Sequence, residues 1–164
     1  MGPQNVAFGI IAAAMIVGAI RVVTTKVVVH AALYLVVVLA GAAGLYVLLA
    51  AEFVAWAQVL IYVGAILVLL LFGIMLTRAP LHPSSELDND QRWPALVVSL
   101  GIAGLLIAML ADAFQDDKVR ITNATGTGEI ADSIFNQFVV PFEVVSILLL
   151  GALVGAVVLA RRDD

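Results

Sequence analysis

Five apolar stretches, each about as long as a bilayer is thick, constrain this chain more than any other feature. A membrane-spanning helix needs roughly 20 apolar residues, and stretches near this length cover Val6–Val23, Val27–Ala51, Phe53–Leu76, Pro94–Ala111 and Val139–Ala160. Hydrocarbon offers no partner to a free backbone N–H or C=O group, so each stretch has to be a helix. The sequence therefore predicts an all-α integral membrane protein with five transmembrane helices, in which residues 1–164 form a single membrane domain.

The composition excludes several classes of function. Of the 164 residues, 63% are hydrophobic and 12% are charged, whereas a soluble domain carries about 25% charged residues. Little chain is left for a soluble domain or a nucleotide-binding fold. The absence of cysteine excludes iron–sulfur ligation and disulfides on this chain, and no carboxylate cluster accompanies His30 or His82. We expect no metal or cofactor on this chain, and no nucleic-acid partner.

The distribution of Lys and Arg predicts the orientation in the membrane, because cytoplasmic loops carry an excess of these residues. One side would hold six of them: Arg21, Lys26, Arg78, Arg92, Arg161 and Arg162. The other side would hold only Lys118 and Arg120. The N-terminus is therefore predicted to lie outside and the C-terminus in the cytoplasm. The loop 77–93 would be cytoplasmic and the loop 112–138 periplasmic, in a bacterial inner membrane.

The outer loop contains apolar residues at helical spacing. These are Ile130, Ile134, Phe135 and Phe138, and their pattern predicts a short amphipathic segment at the membrane interface.

Glycines three or four residues apart recur in three of the spans. The pairs are Gly41 with Gly44, Gly101 with Gly104, and Gly151 with Gly155. Small residues let helices approach closely in lipid, where no hydrophobic force drives them together. Packing inside this chain and packing against other subunits are both open interpretations of these pairs.

No Asp, Glu, Lys or Arg lies deep within any predicted span. Pumps and antiporters usually carry such residues as ion or proton sites, so a self-sufficient transporter is disfavoured. The nearest carboxylates lie at the edges. Glu52 would be a hydrated turn carboxylate or would face a polar channel of a partner. Glu143 follows Pro141 by two residues, which suits the start of a helix, where the dipole favours an acid. His30 is expected to be an interfacial or packed histidine.

The third span carries polar and small residues where Leu or Val would be less costly. Gln58 and Tyr62 are four residues apart and would share one helix face. In lipid their hydrogen-bonding groups would lack partners, so this face should meet another helix or water. This face could pack against another helix, with Gly64 at a close contact, or it could be a functional polar site.

Three stretches resemble one family of membrane subunits. The segment "FVAWAQVLIYVGAILVLLLFGIML" resembles the third helix of subunit J of NADH-quinone oxidoreductase, which corresponds to subunit 6 of mitochondrial complex I. The segments "VVVHAALYLVVVLAGAAGLYVLL" and "IFNQFVVPFEVVSILLLGALVGAVVLA" are similar to its second helix and to its fifth helix with the preceding loop. The fourth span and the two long loops show no such likeness.

The resemblance implies a coupling role without a redox centre. Near the element matched by Tyr62 and Gly64, the family is associated with a π-bulge that forms and relaxes, so these two residues would be the hinge. Rotation of the following half would turn Val68, Leu69 and Phe72 into or out of a neighbouring water chain, as a hydrophobic gate. Gln58 would pack or hydrogen-bond on the same helix.

The resemblance also implies partners and cofactors outside this chain. The partners would be antiporter-like subunits, a small three-helix subunit and the quinone-site subunit, with FMN, iron–sulfur clusters and quinone bound elsewhere in the complex. The electron donor is left open among NADH, reduced ferredoxin and a deazaflavin.

Three positions depart from the family pattern. Gln58 replaces a Glu of some relatives, Leu70 replaces an aromatic residue, and Phe138 stands where Tyr is frequent. Two alternatives to the family role remain open. One is a subunit of a multisubunit cation/proton antiporter or membrane-bound hydrogenase. The other is an autonomous small transporter or structural membrane protein.

Overall fold

The computed structural model of the protein describes residues 2–77, 91–114 and 125–161. Much of both long loops lies outside these ranges, as do four of the cations that set the predicted orientation: Arg78, Lys118, Arg120 and Arg162. The orientation of the termini therefore stays a prediction.

Five long apolar helices are present, as the sequence predicts. They are α1 (Pro3–Thr24), α2 (Val28–Leu48), α3 (Glu52–Leu76), α4 (Arg92–Ala113) and α6 (Val139–Ala160), and each is long enough to cross a membrane. A short helix, α5 (Thr127–Asp132), precedes α6. Within the described ranges every regular element is helical, so the all-α prediction is confirmed.

The second helix ends earlier than predicted. The sequence extends the second span to Ala51, but α2 ends at Leu48 because the chain reverses there. Ala50 has a φ of 57°, its N–H donates to the Val47 carbonyl at 3.0 Å, and the Ala51 N–H donates to the Tyr46 carbonyl at 2.9 Å. These two bonds form a Schellman motif, in which a left-handed residue closes the helix. Sequence reasoning missed this ending because the left-handed position holds Ala rather than Gly.

The contact between α1 and α2 is made where side chains are smallest. A Cβ atom on Gly18 would lie 3.0 Å from Val38 Cγ2, and one on Gly44 would lie 3.2 Å from Ile11 Cδ1. A Cβ on Gly41 would overlap Met15. Gly41 and Gly44 therefore pack inside this chain, which settles one of the glycine pairs.

The other two glycine pairs have open surroundings in the described part of the chain. A Cβ added at Gly101, Gly104, Gly151 or Gly155 would meet nothing within 4 Å among the described residues. Their role in helix packing stays a prediction.

Residues 1–124 and 125–164 form two separate compact units, and the prediction of a single membrane domain stays a prediction. In the second unit, the π-helical turn Ser133–Gln137 joins α5 to α6. The rings of Phe135 and Phe142 meet edge to face, with centroids 5.2 Å apart. The segment around Ile130 and Ile134 is helical, and both side chains are half-buried. Its position at a membrane interface stays a prediction.

The start of α6 differs slightly from the interpretation of Glu143. The helix begins at Val139, so Pro141 lies in its first turn, as expected. Glu143 is exposed and lies one residue beyond that turn. The attraction of a helix N-terminus for an acid fades within the first turn, so Glu143 is not a start signal of this helix.

Candidate functional site

The third helix changes its hydrogen-bonding pattern in the middle of the membrane span. It is α-helical over Glu52–Ala57, π-helical over the nine residues Gln58–Ile66, and α-helical again over Leu67–Leu76. At the end of the π-helical segment the Leu67 N–H donates to the carbonyl of Tyr62, five residues earlier. The segment contains Gln58, Tyr62 and Gly64, the polar and small residues that set this span apart in sequence.

The segment is rich in residues of low α-helix propensity. Val59, Ile61, Val63 and Ile66 are β-branched and lose side-chain freedom in an α-helix. Gly64 adds a cost of about 1 kcal/mol relative to Ala in a helix. In the π-helical form, a Cβ on Gly64 would lie 3.3 Å from the Val59 carbonyl oxygen, five residues back. Glycine therefore relieves a close contact with the backbone of the π-helical turn.

Gln58 links this segment to the neighbouring helix. Its Nε2 donates to the backbone carbonyl of Leu39 in α2 over 3.5 Å, and the side chain is half-buried. The bond is long for an N–H···O contact, so it is weak. It is an interhelical bond of the kind expected for a polar group in a membrane bundle.

Tyr62 is more exposed than Gln58. Its side chain is 48% exposed, whereas Gln58 and Val63 are half-buried. A spacing of four residues places two side chains on one face of an α-helix, and here the intervening residues are π-helical. The shared polar face of Gln58 and Tyr62 stays a prediction.

The predicted gate residues lie downstream of the π-helical segment. Val68 and Phe72 project from the α-helical second half and are exposed, as is Leu69 between them. Leu67, immediately before them, is 1% exposed and is the most buried large side chain in the described residues. Ala55, upstream of the π-helical segment, is also buried. Sequence reasoning missed Ala55 and Leu67, because apolar residues fill this span on every side.

The two edge carboxylates belong to different units. Glu52 is the first residue of α3 and is exposed. It lines a groove of about 520 Å³ whose other walls are small or apolar side chains of α2 and α3: Ala40, Ala43, Gly44, Val47, Ala55, Trp56 and Val59. Glu143 lies on α6 in the second unit. Across the described ranges, no three His, Cys, Asp or Glu side chains form a group that could hold a metal.

Comparison with known proteins gives consistent results along nearly the whole chain. Residues 18–159 match the family described as NADH-ubiquinone/plastoquinone oxidoreductase chain 6. The chain is 46% identical over 164 residues to NAD(P)H-quinone oxidoreductase chain 6 of Leptolyngbya boryana, covering 99% of this chain and 82% of that relative. It is 39% identical over 163 residues to the chloroplastic NAD(P)H-quinone oxidoreductase subunit 6 of Mesostigma viride, covering 98% and 86%. It is 36% identical over 166 residues to F(420)H(2) dehydrogenase subunit J of Methanosarcina mazei, covering 98% and 92%.

Proposed function

The chain belongs to the NADH-ubiquinone/plastoquinone oxidoreductase chain 6 family, and from this premise we propose that it couples quinone reduction to proton translocation through its third helix. It is a membrane subunit and would carry no redox centre itself. FMN, iron–sulfur clusters and quinone would bind on other subunits. The observation that carries the proposal is the π-helical segment Gln58–Ile66 within an otherwise α-helical span.

A π-helical segment can act as a hinge for two physical reasons. It is a rare conformation that frequently marks a functional site, and glycine lowers the steric barrier to changing it. Relaxation of the segment around Tyr62 and Gly64 would rotate the half that begins at Leu67. Val68 and Phe72 would turn with it, into or out of a water-filled path in a neighbouring subunit. Such a gate works by excluding water and needs no charge on this chain.

The same proposal extends to partners and location. The neighbours would be antiporter-like subunits, the small three-helix subunit and the quinone-site subunit, in a bacterial inner membrane with the N-terminus outside. The relatives are named after different donors, NAD(P)H in two cases and F(420)H(2) in the third. The donor would therefore be set by other subunits, with NADH as the default.

Membership of the complex is tested by purification. An affinity tag on this chain should recover, in mild detergent, a large assembly with antiporter-like, quinone-site and iron–sulfur subunits, identified by mass spectrometry. Recovery with antiporter subunits but no redox subunits would favour the alternative of a cation/proton antiporter. Recovery of this chain alone would contradict both.

The gate is tested with a matched pair of variants in the purified complex, reconstituted into vesicles. Phe72→Ala should lower the proton gradient formed per quinone reduced by severalfold, while the rate of quinone reduction changes little. Met75→Ala removes a still more exposed side chain three residues further along α3 and should leave both quantities unchanged. An unchanged gradient in Phe72→Ala would exclude this residue from the gate.

A further inference from the structure

A groove between α2 and the first part of α3 opens at the turn that joins the two helices. Its most buried lining residues are Ala43 and Ala55, each 5% exposed. Its walls include the exposed side chains of Val47 and Trp56, and Glu52 lies at the end next to the turn. The volume is about 520 Å³. Small residues on both helices thus leave a space that no described residue fills.

The groove is short and ends inside the hairpin. Its lining lies within residues 40–47 of α2 and 52–59 of α3, so it is about 10 Å long at a rise of 1.5 Å per residue. At its inner end the Gln58 side chain donates to the Leu39 carbonyl and links the two helices. The groove therefore extends over about a third of a hydrocarbon core of roughly 30 Å.

The length and position of the groove favour an acyl chain over a helix of another subunit. A partner helix that crosses the membrane needs contact surface along the whole bilayer, whereas this groove ends at the Gln58 bond. A lipid begins at the membrane interface and extends a thin, flexible chain inward. The groove has the same arrangement, with its polar end at the turn and its apolar part further in.

Two polar groups without described partners lie at the end next to the turn. Glu52 and Trp56 are four residues apart in the α-helical stretch Glu52–Ala57, so they share one side of the helix. The Glu52 carboxylate and the Trp56 indole N–H have no hydrogen-bond or ion-pair partner among the described residues. This end of the groove therefore offers a negatively charged acceptor, an aromatic ring and one N–H donor.

These groups discriminate between lipid head groups. The apolar walls give no preference in a bilayer, since lipid tails are as apolar as the side chains around them. A primary ammonium group can donate to Glu52 and lie against the Trp56 ring, which attracts cations, while the adjoining phosphate oxygens accept from the indole N–H. Anionic head groups are recognised by Lys and Arg, and none of the described residues that line the groove is either. A choline head group is a cation without an N–H to donate.

We propose that this groove binds one phospholipid with a primary ammonium head group, of the phosphatidylethanolamine kind. The ammonium group pairs with Glu52 and Trp56, and one acyl chain packs against Ala43 and Ala55. The lipid fills the gap that the side chains leave between α2 and the first part of α3. The site is separate from the proposed gate, whose residues lie in the second half of α3, and its occupation does not depend on proton translocation.

Photolabelling with lipid probes tests the site in the assembly purified through a tag on this chain. Three probes carry a diazirine in the upper half of one acyl chain and differ only in the head group, which is ethanolamine, choline or glycerol. Each probe is added in trace amount to phosphatidylcholine vesicles that contain the assembly. Mass spectrometry measures the label on residues 40–47 and 52–59 relative to the total label. The ethanolamine probe should label these residues severalfold more than the other two, and equal labelling would overturn the proposal.

Two pairs of variants separate the effect of the charge from that of the space. Glu52→Gln should lower labelling by the ethanolamine probe severalfold, to the level of the choline probe. Its control is Glu129→Gln, which changes an exposed carboxylate in the second unit. Ala40→Leu narrows the groove and should lower labelling by all three probes, whereas Ala14→Leu, at an exposed position of α1, should change none. Unchanged labelling in both Glu52→Gln and Ala40→Leu would contradict the site.

A helix of another subunit in the groove would give a different result. A photoreactive amino acid in place of Val47 should cross-link mainly to lipid. A cross-link mainly to another subunit, together with absence of lipid label from the groove, would overturn the proposal. None of these measurements requires turnover of the complex. Failure of the lipid site therefore leaves the coupling proposal standing, and failure of the gate variants leaves the lipid site standing.

Discussion

α2 packs against both α1 and α3, and the two contacts are built differently. Between α1 and α2, glycines bring the helices so close that a Cβ atom on Gly41 would overlap Met15, and one on Gly18 would lie 3.0 Å from Val38. Between α2 and α3, Leu67 is the most buried side chain, Ala43 and Ala55 are also buried, and Gln58 supplies one long hydrogen bond. A groove of about 520 Å³ opens at the end near Glu52.

The difference indicates which part of the chain can move. Closely packed helices resist shifts, because interiors at high packing density leave little room for movement. α3 carries a π-helical segment between its buried residues Ala55 and Leu67, and a change in that segment would rotate the half that follows it. The pair α1–α2 is therefore expected to be the rigid support, and the second half of α3 the mobile part.

The largest expected effect is at the rigid contact. Gly41→Val should lower the stability of the folded chain by about 1–3 kcal/mol, the typical cost of overpacking, because the new side chain would overlap Met15. The measurement is the amount of the chain recovered in membranes and its thermal denaturation. Gly9→Val is the control, since nothing in the described residues lies within 4 Å of a Cβ at Gly9. Adding Met15→Ala to Gly41→Val should restore part of the lost stability. If Gly41→Val alone reaches the normal amount in membranes, the contact between Gly41 and Met15 accepts a larger side chain.

The mobile contact is tested at Gly64. Gly64→Ala should favour the α-helical form, because Ala is better than Gly in a helix by about 1 kcal/mol, or roughly a fivefold change in ratio. The new Cβ would also press on the Val59 carbonyl of the π-helical form. The readout is the ratio of the proton gradient formed to quinone reduced by the purified complex in vesicles, which should fall in Gly64→Ala. Gly73→Ala is the control, because Gly73 lies in the α-helical half and no described atom lies within 4 Å of its Cβ. This variant should leave the ratio unchanged. An equal shift in both variants would show that Gly64 is not part of the hinge.

The turn between the rigid helix and the mobile one offers a stabilising change. Ala50→Gly should raise the thermal stability of the chain by up to about 1 kcal/mol, because a left-handed residue other than glycine costs about 1–2 kcal/mol and the added freedom of the unfolded chain offsets part of the gain. Ala51→Gly, one residue later, is the control, because the left-handed conformation occurs only at Ala50 among the described non-glycine residues. Destabilisation by Ala50→Gly would argue against the Schellman geometry.

The smallest effect is expected at the hydrogen bond between α2 and α3. Gln58→Leu should lower stability by about 0.6 kcal/mol, the average value of a hydrogen bond between membrane helices, because the bond to Leu39 is long. Gln58→Asn keeps the amide on a shorter side chain and should lose the bond to Leu39, with a similar loss of stability. A loss several times larger would show that Gln58 does more than hold the first half of α3.

The amino-acid sequence alone was enough to predict the fold class and the approximate position of the spans. Runs of apolar residues of bilayer length admit only a helix in lipid, and the last predicted span agrees with α6 at both ends. The region of interest was also readable, since Gln58, Tyr62 and Gly64 are costly or weak residues for a lipid-facing helix. Local composition is enough for such inferences, because each depends on a residue and its immediate environment.

The side chains of α3 that contact α2 could be identified only from the tertiary structure. In a membrane span the apolar residues surround the helix, so the hydrophobic pattern that marks the buried side of a soluble helix is absent. The α-helical spacing predicts a shared face for Gln58 and Tyr62, whereas the structure half-buries Gln58, leaves Tyr62 48% exposed and buries Leu67 after the π-helical segment. The early end of α2 at Leu48 escaped prediction for a similar reason. Ala50 adopts a left-handed conformation that its identity disfavours, and the hydrogen bonds of the turn and the close packing of the helices sustain it.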